Sequence, residues 1–295
     1  MSNPFAQRLQ QVYPEMAIED IQTERAAQHY AVFGINYRFV FRFARNEWGA
    51  KHLAYEAQTL LPTISRAANL PVPVPVCESL ERLEPVLAFI GYERIDGEPL
   101  WPESLKGLTG TEEEERAAAT IGEFLKRLHA VQWEAKPPEP DDSEEIEHLS
   151  GEQLRDVMRR RLFPVMGKEL QARAEVDLKA WIAAEKESKK VLIHGAFGPA
   201  HLLWDAADER VTGVIGFGSA RMGDPAADFA GILSGYGPLF FEKCLAAYGG
   251  DANLAERVRL YAKILLLREA LYGAEEGHEE SLVYGLEAYA QEVKE

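Results

Sequence analysis

Histidines and carboxylates that recur close together in one stretch are the first candidates for chemistry. His194, His201 and Asp205 fall within a dozen residues. An imidazole that titrates near neutral pH can act as a general acid or base, or supply one metal ligand. Asp205 adds a carboxylate to the same stretch. Two histidines with no close cysteine or third histidine make a poor metal set, and no metal is expected from them.

These residues need elements to hold them. The run from Ala31 to Phe43 is rich in β-branched and aromatic residues with one Gly-Ile-Asn break, which predicts a hairpin. Leu53, Ala57, Leu60, Leu61 and Ile64 recur at helical spacing and predict a helix ending near Asn69. A short amphipathic helix is expected over 5–15, an extended proline-punctuated segment over 71–79, and a strand over 85–97. This is an α+β arrangement of about 95 residues, within the range of an independent core. Beyond it, acids at the start of the segment from Thr111 and a stripe of Ile121, Phe124, Leu125 and Leu128 predict a long helix. Residues 136–147 read as a loop, and 151–172 and 174–187 as two helical stretches. Short strands are expected over 191–195, 201–205 and 211–217, and helices over 226–293. The division is therefore 1–95 and 96–295.

Composition narrows the function classes. The chain has 295 residues, a formal charge of −16 and two cysteines. The first 95 residues carry 9 basic and 10 acidic side chains, so all but one unit of that charge lies in 96–295. A nucleic acid or an anionic membrane surface would be repelled. A small molecule, including a cationic one, or a partner protein remains. Cys77 and Cys244 exclude a disulfide framework and suit a reducing compartment. The N-terminal residues lack a basic-then-apolar leader, so a cytoplasmic address is expected.

The segment 191–228 carries the most specific signal. His194-Gly195-Ala196, Gly198-Pro199, His201, Gly213-Val214-Ile215-Gly216-Phe217-Gly218, Gly223-Asp224-Pro225 and Asp228 match, without a gap, a pattern of His-Gly-Asp, Asn or His, Ile-Asp-Phe-Gly and Gly-Asp-Pro-x-x-Asp. The sequence resembles the aminoglycoside phosphotransferase and choline-kinase family. The resemblance implies a bilobal protein-kinase-like fold: a small N-terminal β-sheet lobe and a large, mostly helical C-terminal lobe. It implies ATP- and Mg²⁺-dependent phosphoryl transfer to a small molecule. It also implies that Arg42 and Glu56 form a strand–helix pair, either an anion clamp or a structural ion pair, with Tyr92 at the hinge. By the same resemblance His29 and Tyr30 stand where the phosphates would lie, and either plug the pocket or line a new one. These five are the candidate ligand contacts.

The departures are as specific as the match. Ala196 stands at the proton-accepting Asp, and a methyl group accepts no proton. Gly216 stands at the metal-holding Asp and offers Mg²⁺ no carboxylate. Ser219 replaces an acid common in relatives. Arg25-Ala26-Ala27-Gln28-His29-Tyr30 stands at the phosphate loop, where bulky side chains obstruct close backbone approach. The expectation is a family member that has lost phosphoryl transfer, needs no cofactor, and binds a small molecule or partner in the interlobe cleft. The alternatives are ATP-independent acid–base chemistry in the same cleft through His194, His201 and Asp205, or a divergent active phosphotransferase using ATP and Mg²⁺.

Overall fold

The computed structural model describes residues 3–26, 29–139 and 149–292. Ala27 and Gln28 of the anticipated phosphate loop, and the acids of 141–147, lie outside the described residues. The chain forms two compact units: Met1–Leu100 with Val131–Asp141 and Ala200–Gly218, and Trp101–Ala130 with Asp142–Pro199 and Ser219–Glu295. The expected α+β class holds, with a small antiparallel sheet near the N-terminus and a helical C-terminal part.

In the first unit, strands β1 (Ile21–Ala26), β2 (Tyr30–Ile35), β3 (Phe39–Ala44), β4 (Pro75–Ser79) and β5 (Phe89–Glu93) form one sheet in the order β1-β2-β3-β5-β4. The anticipated hairpin is β2–β3, paired from Tyr30 with Ala44 to Ile35 with Phe39. Strand β1 was not anticipated, because IQTERA carries too few apolar residues to announce itself. Helix α1 (Pro4–Val12) lays Leu9 on the core formed by Phe33, Ile35, Phe41, Phe43 and Phe89. Side chains alternate across a strand, so Arg42, between Phe41 and Phe43, leaves that core for the other face.

Helix α2 (Glu47–Tyr55) is capped by Asn46, whose Oδ1 accepts from the Gly49 N–H at 2.7 Å. It passes through a π turn at Glu56–Leu60 into α3 (Leu61–Ala67). Pro62 accounts for the wide turn, because it lacks an N–H and its ring crowds the carbonyl four residues back. Strands β6 (Glu98–Pro99), β8 (Leu202–Asp205) and β9 (Arg210–Val214) form a second small sheet in the first unit. Ala200–Gly218, read from sequence with the C-terminal lobe, thus groups with the first unit. The Val214 N–H also donates to the Pro71 carbonyl at 3.0 Å.

The second unit holds α4 (Pro102–Lys106), α5 (Glu112–His129), α6 (Gly151–Arg161), α7 (Lys168–Glu187), α8 (Ala226–Tyr236), α9 (Pro238–Tyr248), α10 (Ala252–Glu276) and α11 (Glu279–Glu292). Strand β7 (Val191–Ile193) pairs antiparallel with β10 (Arg221–Gly223). The predicted stripe of α5 is buried, with Ile121, Phe124 and Leu125 at 0% exposure. The expected stretches 151–172 and 174–187 divide earlier than read. Pro164 sits in a short 3₁₀ turn, Phe163–Val165, and α7 begins at Lys168. A buried Asp177 on α7 accepts from the Tyr289 hydroxyl of α11 at 2.7 Å, which ties the C-terminal helix into its unit. No helix among the described residues is long and apolar enough to cross a membrane.

Candidate functional site

The first unit assembles most of the predicted ligand contacts into one connected group. Arg42 of β3 and Glu56 meet in a forked pair, Nη1–Oε2 at 2.5 Å and Nη2–Oε1 at 3.1 Å. The Glu56 side chain is 0% exposed and that of Arg42 14%. The Arg42 guanidinium lies over the Tyr30 ring, 4.4 Å from its centroid. Two residues not singled out from sequence complete the group. His52, one turn before Glu56 on the same helix face, donates from Nδ1 to Glu56 Oε1 at 2.9 Å, and the Tyr30 hydroxyl lies 2.9 Å from the same nitrogen. Trp48, a further turn back, stacks on His52 at 4.7 Å and packs on His29 at 4.4 Å. The spacing 48–52–56 was the available signal, since residues four apart share a helix face.

Electrostatics fixes the charges of the pair. Burial alone would raise the Glu56 carboxyl, but the Arg42 charge and the His52 hydrogen bond hold it at about 2. Burial would lower Arg42, and the Glu56 charge overrides it and raises the guanidinium further. Tyr92 on β5 is half-buried, and burial pushes its phenol up. His29 accepts at Nδ1 from Asn46 Nδ2 at 2.7 Å. His29 and Tyr30 are thus built into the packing beside Arg42.

The turn Phe217–Ser219 brings Gly218 beside the same pair. A Cβ on Gly218 would lie 3.7 Å from Arg42 Nη2 and 3.9 Å from Glu56 Oε1. Two residues earlier, Gly216 has φ +85°, a conformation that disfavours side chains. The space in front of it is taken. A Cβ there would lie 2.2 Å from His201 Cδ2 and 2.6 Å from Nε2. His201 ends a short 3₁₀ turn, Pro199–His201, and its carbonyl accepts from the Ile215 N–H at 2.9 Å. Position 216 therefore offers no side-chain oxygen and faces an imidazole. Mg²⁺ takes hard oxygen donors in near-octahedral geometry, and these residues do not fit it.

Asp205 sits at the other end of β8 from His201, roughly 13 Å away for four strand residues. Its Oδ1 accepts from the N–H groups of Ala207 at 2.9 Å and Asp208 at 3.3 Å. It closes the β8–β9 turn and does not converge with His201. Asp205→Ala is expected to cost under about 1 kcal/mol and to leave ligand binding unchanged. Denaturant unfolding and a ligand titration check this; a lost ligand response would restore Asp205 to the site.

The second unit holds the other loop. Asp228, near the start of α8, is fully buried and organises it: Oδ2 accepts from the His194 N–H and Oδ1 from the Gly195 N–H, both at 2.8 Å. His129 Nε2 donates to Oδ2 at 3.1 Å. Burial alone would raise the Asp228 carboxyl, and the hydrogen bond and charge of His129 hold it below its usual range. His194 is 0% exposed. Its Nδ1 accepts from the Ala196 N–H at 3.3 Å, and its ring packs on Phe197. It supports the loop from the core. Ala196 is exposed with only a methyl group. The buried Asp224 is engaged by Arg257, Oδ2 accepting from Nε at 2.9 Å, and by the Ala226 N–H at 3.0 Å.

The model of a family described as the phosphotransferase enzyme family matches residues 24–261. Viomycin phosphotransferase from Streptomyces vinaceus is 29% identical over 288 residues, covering 95% of this chain and 96% of its own. Among solved structures, a GDP and kanamycin complex of an APH(2") protein shares 21% identity at a TM-score of 0.80, covering 98% of each chain. Macrolide 2'-phosphotransferase type I shares 18% at 0.66, again covering 98% of each. At these identities the structural likeness is one of fold.

Proposed function

This chain belongs to the phosphotransferase enzyme family, and on that premise we propose that it binds a small molecule without transferring phosphate to it. One observation carries the reading. The position from which the family holds its metal is a glycine at φ +85° whose side-chain space is occupied by the His201 ring. Ala196 supports it, because no proton acceptor stands where the acceptor hydroxyl would need one. Phosphoryl transfer depends on positioning and charge neutralisation, and both are undone at these two positions. No cofactor is required for the binding role.

A second reading is favoured by the intact Arg42–Glu56 fork: a divergent phosphotransferase that still takes a nucleotide, and by kinship with viomycin phosphotransferase an antibiotic acceptor. One measurement separates the two. Thermal unfolding is followed with ATP, with and without Mg²⁺, alongside transfer from ATP to viomycin and kanamycin. A ligand at 100 times its Kd adds roughly 2.7 kcal/mol, a rise of several degrees for a chain of this size. The proposal expects no Mg²⁺-dependent rise and no transfer. A Mg²⁺-dependent rise with turnover overturns it in favour of the second reading.

A further inference from the structure

We propose that Arg221 is an oxyanion-binding residue, and that the loop beside it takes the phosphate or carboxylate group of a small molecule. The inference rests on the reading that this loop no longer performs catalysis, and it names the class of ligand that the loop now suits.

Arg221 opens β10, directly across from Ile193 at the end of β7. The chain continues from Ile193 into His194-Gly195-Ala196, so Arg221 stands beside that loop. The contact is close: a Cβ on Gly195 would lie 2.6 Å from Arg221 Nη1. Nη1 donates to the Ser219 carbonyl at 3.0 Å. No carboxylate among the described residues pairs with Arg221, and it is half-buried. A guanidinium has five N–H donors in a fixed fork, and one is used here.

The neighbouring carboxylates have other commitments. Asp224 is held by Arg257, and Asp228 by His129 and the loop N–H groups. Tyr261 of α10 also feels the Arg221 charge, and its hydroxyl stays protonated because burial raises it. Ala196 and Ser219 bring no charge to the loop, so neither balances the guanidinium.

The exposed Ala196 leaves the loop open on that side, and the half-buried Ser219 places a hydroxyl donor two residues from Arg221. A fork of N–H donors with an adjacent hydroxyl suits a phosphate or carboxylate. The chain's charge of −16 does not oppose this at short range. Charges beyond about 8 Å are screened at physiological ionic strength.

The full chain is titrated with inorganic phosphate and, separately, with acetate, by calorimetry and thermal shift, against sodium chloride at matched ionic strength. Saturable binding beyond the chloride control is expected. Arg221→Met, which keeps the apolar stem, weakens it at least tenfold. Arg221→Lys restores little, because a lysine cannot form the fork. The tighter of the two ions identifies the group. Equal titrations in wild type and Arg221→Met, or a response equal to that of chloride, overturn the inference and leave the proposed function standing. ATP turnover by the wild type in the same preparation overturns the proposed function instead.

Discussion

Glu56→Ala lowers stability by about 3–5 kcal/mol, the cost of leaving one partner of a buried ion pair without the other. For a chain of this length the midpoint falls by roughly 10 °C. The Arg42 guanidinium would lose both of its forked contacts, and His52 Nδ1 its acceptor. Most of the cost comes from the orphaned charge, so Arg42→Met in the same chain recovers a large part of the loss. The pH dependence follows from the folded value of about 2 against an ordinary 4.5. A depressed carboxyl stabilises the fold fully above its unfolded pKa. That stability drains away as pH falls from about 4.5 towards 2, and amounts to roughly 3 kcal/mol in all. Urea unfolding of wild type and Glu56→Gln at pH 7, 4.5 and 3 reads this directly. The difference between the two proteins should shrink across that window. A Glu56→Ala protein that melts with the wild type would show that the pair contributes nothing to the fold.

The pair was legible through the family resemblance, which implied that Arg42 on a strand meets Glu56 on a helix. The residue types alone left a structural ion pair and an anion clamp equally open. His52 and Trp48 share the helix face of Glu56 but were hidden, since each also reads as an ordinary helix residue. The loop residues were legible by type and not by role. His194 and His201 look alike in sequence. One is buried behind a loop, with its Nδ1 accepting the Ala196 N–H, and the other covers the Cα of Gly216. Neither relation follows from spacing, because each depends on where chain segments meet after folding. Asp205 was misleading for the same reason. A carboxylate at the end of a strand is as useful to a turn as to a reaction, and its two N–H donors decide for the turn. Arg221 gives no signal in the sequence, because the absence of a carboxylate beside it is settled only where the chain folds.

Gly216→Asp, the obvious restoration of a metal ligand, is expected to destabilise the protein by about 2–4 kcal/mol and to gain no response to Mg²⁺. Two costs combine. A side chain at φ +85° carries roughly 1–2 kcal/mol of backbone strain. The new Cβ must also displace the His201 ring, which lies 2.2 Å from its ideal position at Cδ2. The ring is flexible in principle but sits at the end of a turn whose carbonyl is already bonded to Ile215. Removing it separates the two costs. In a His201→Ala background, Gly216→Asp should carry only the backbone part, so a double-mutant cycle gives a coupling of about 1–3 kcal/mol. Urea midpoints of the four proteins measure it. Additive effects, or a Gly216→Asp protein as stable as the wild type, would mean that the imidazole does not hold the space. The carboxylate could then be returned without moving His201. With the coupling as expected, residues 201 and 216 form one packed unit, and the lost acid has been replaced by a side chain that excludes it. Adding Ala196→Asp to Gly216→Asp should then leave ATP turnover at the wild-type background, because a carboxylate at 216 is reached only with the His201 ring displaced and the backbone strained.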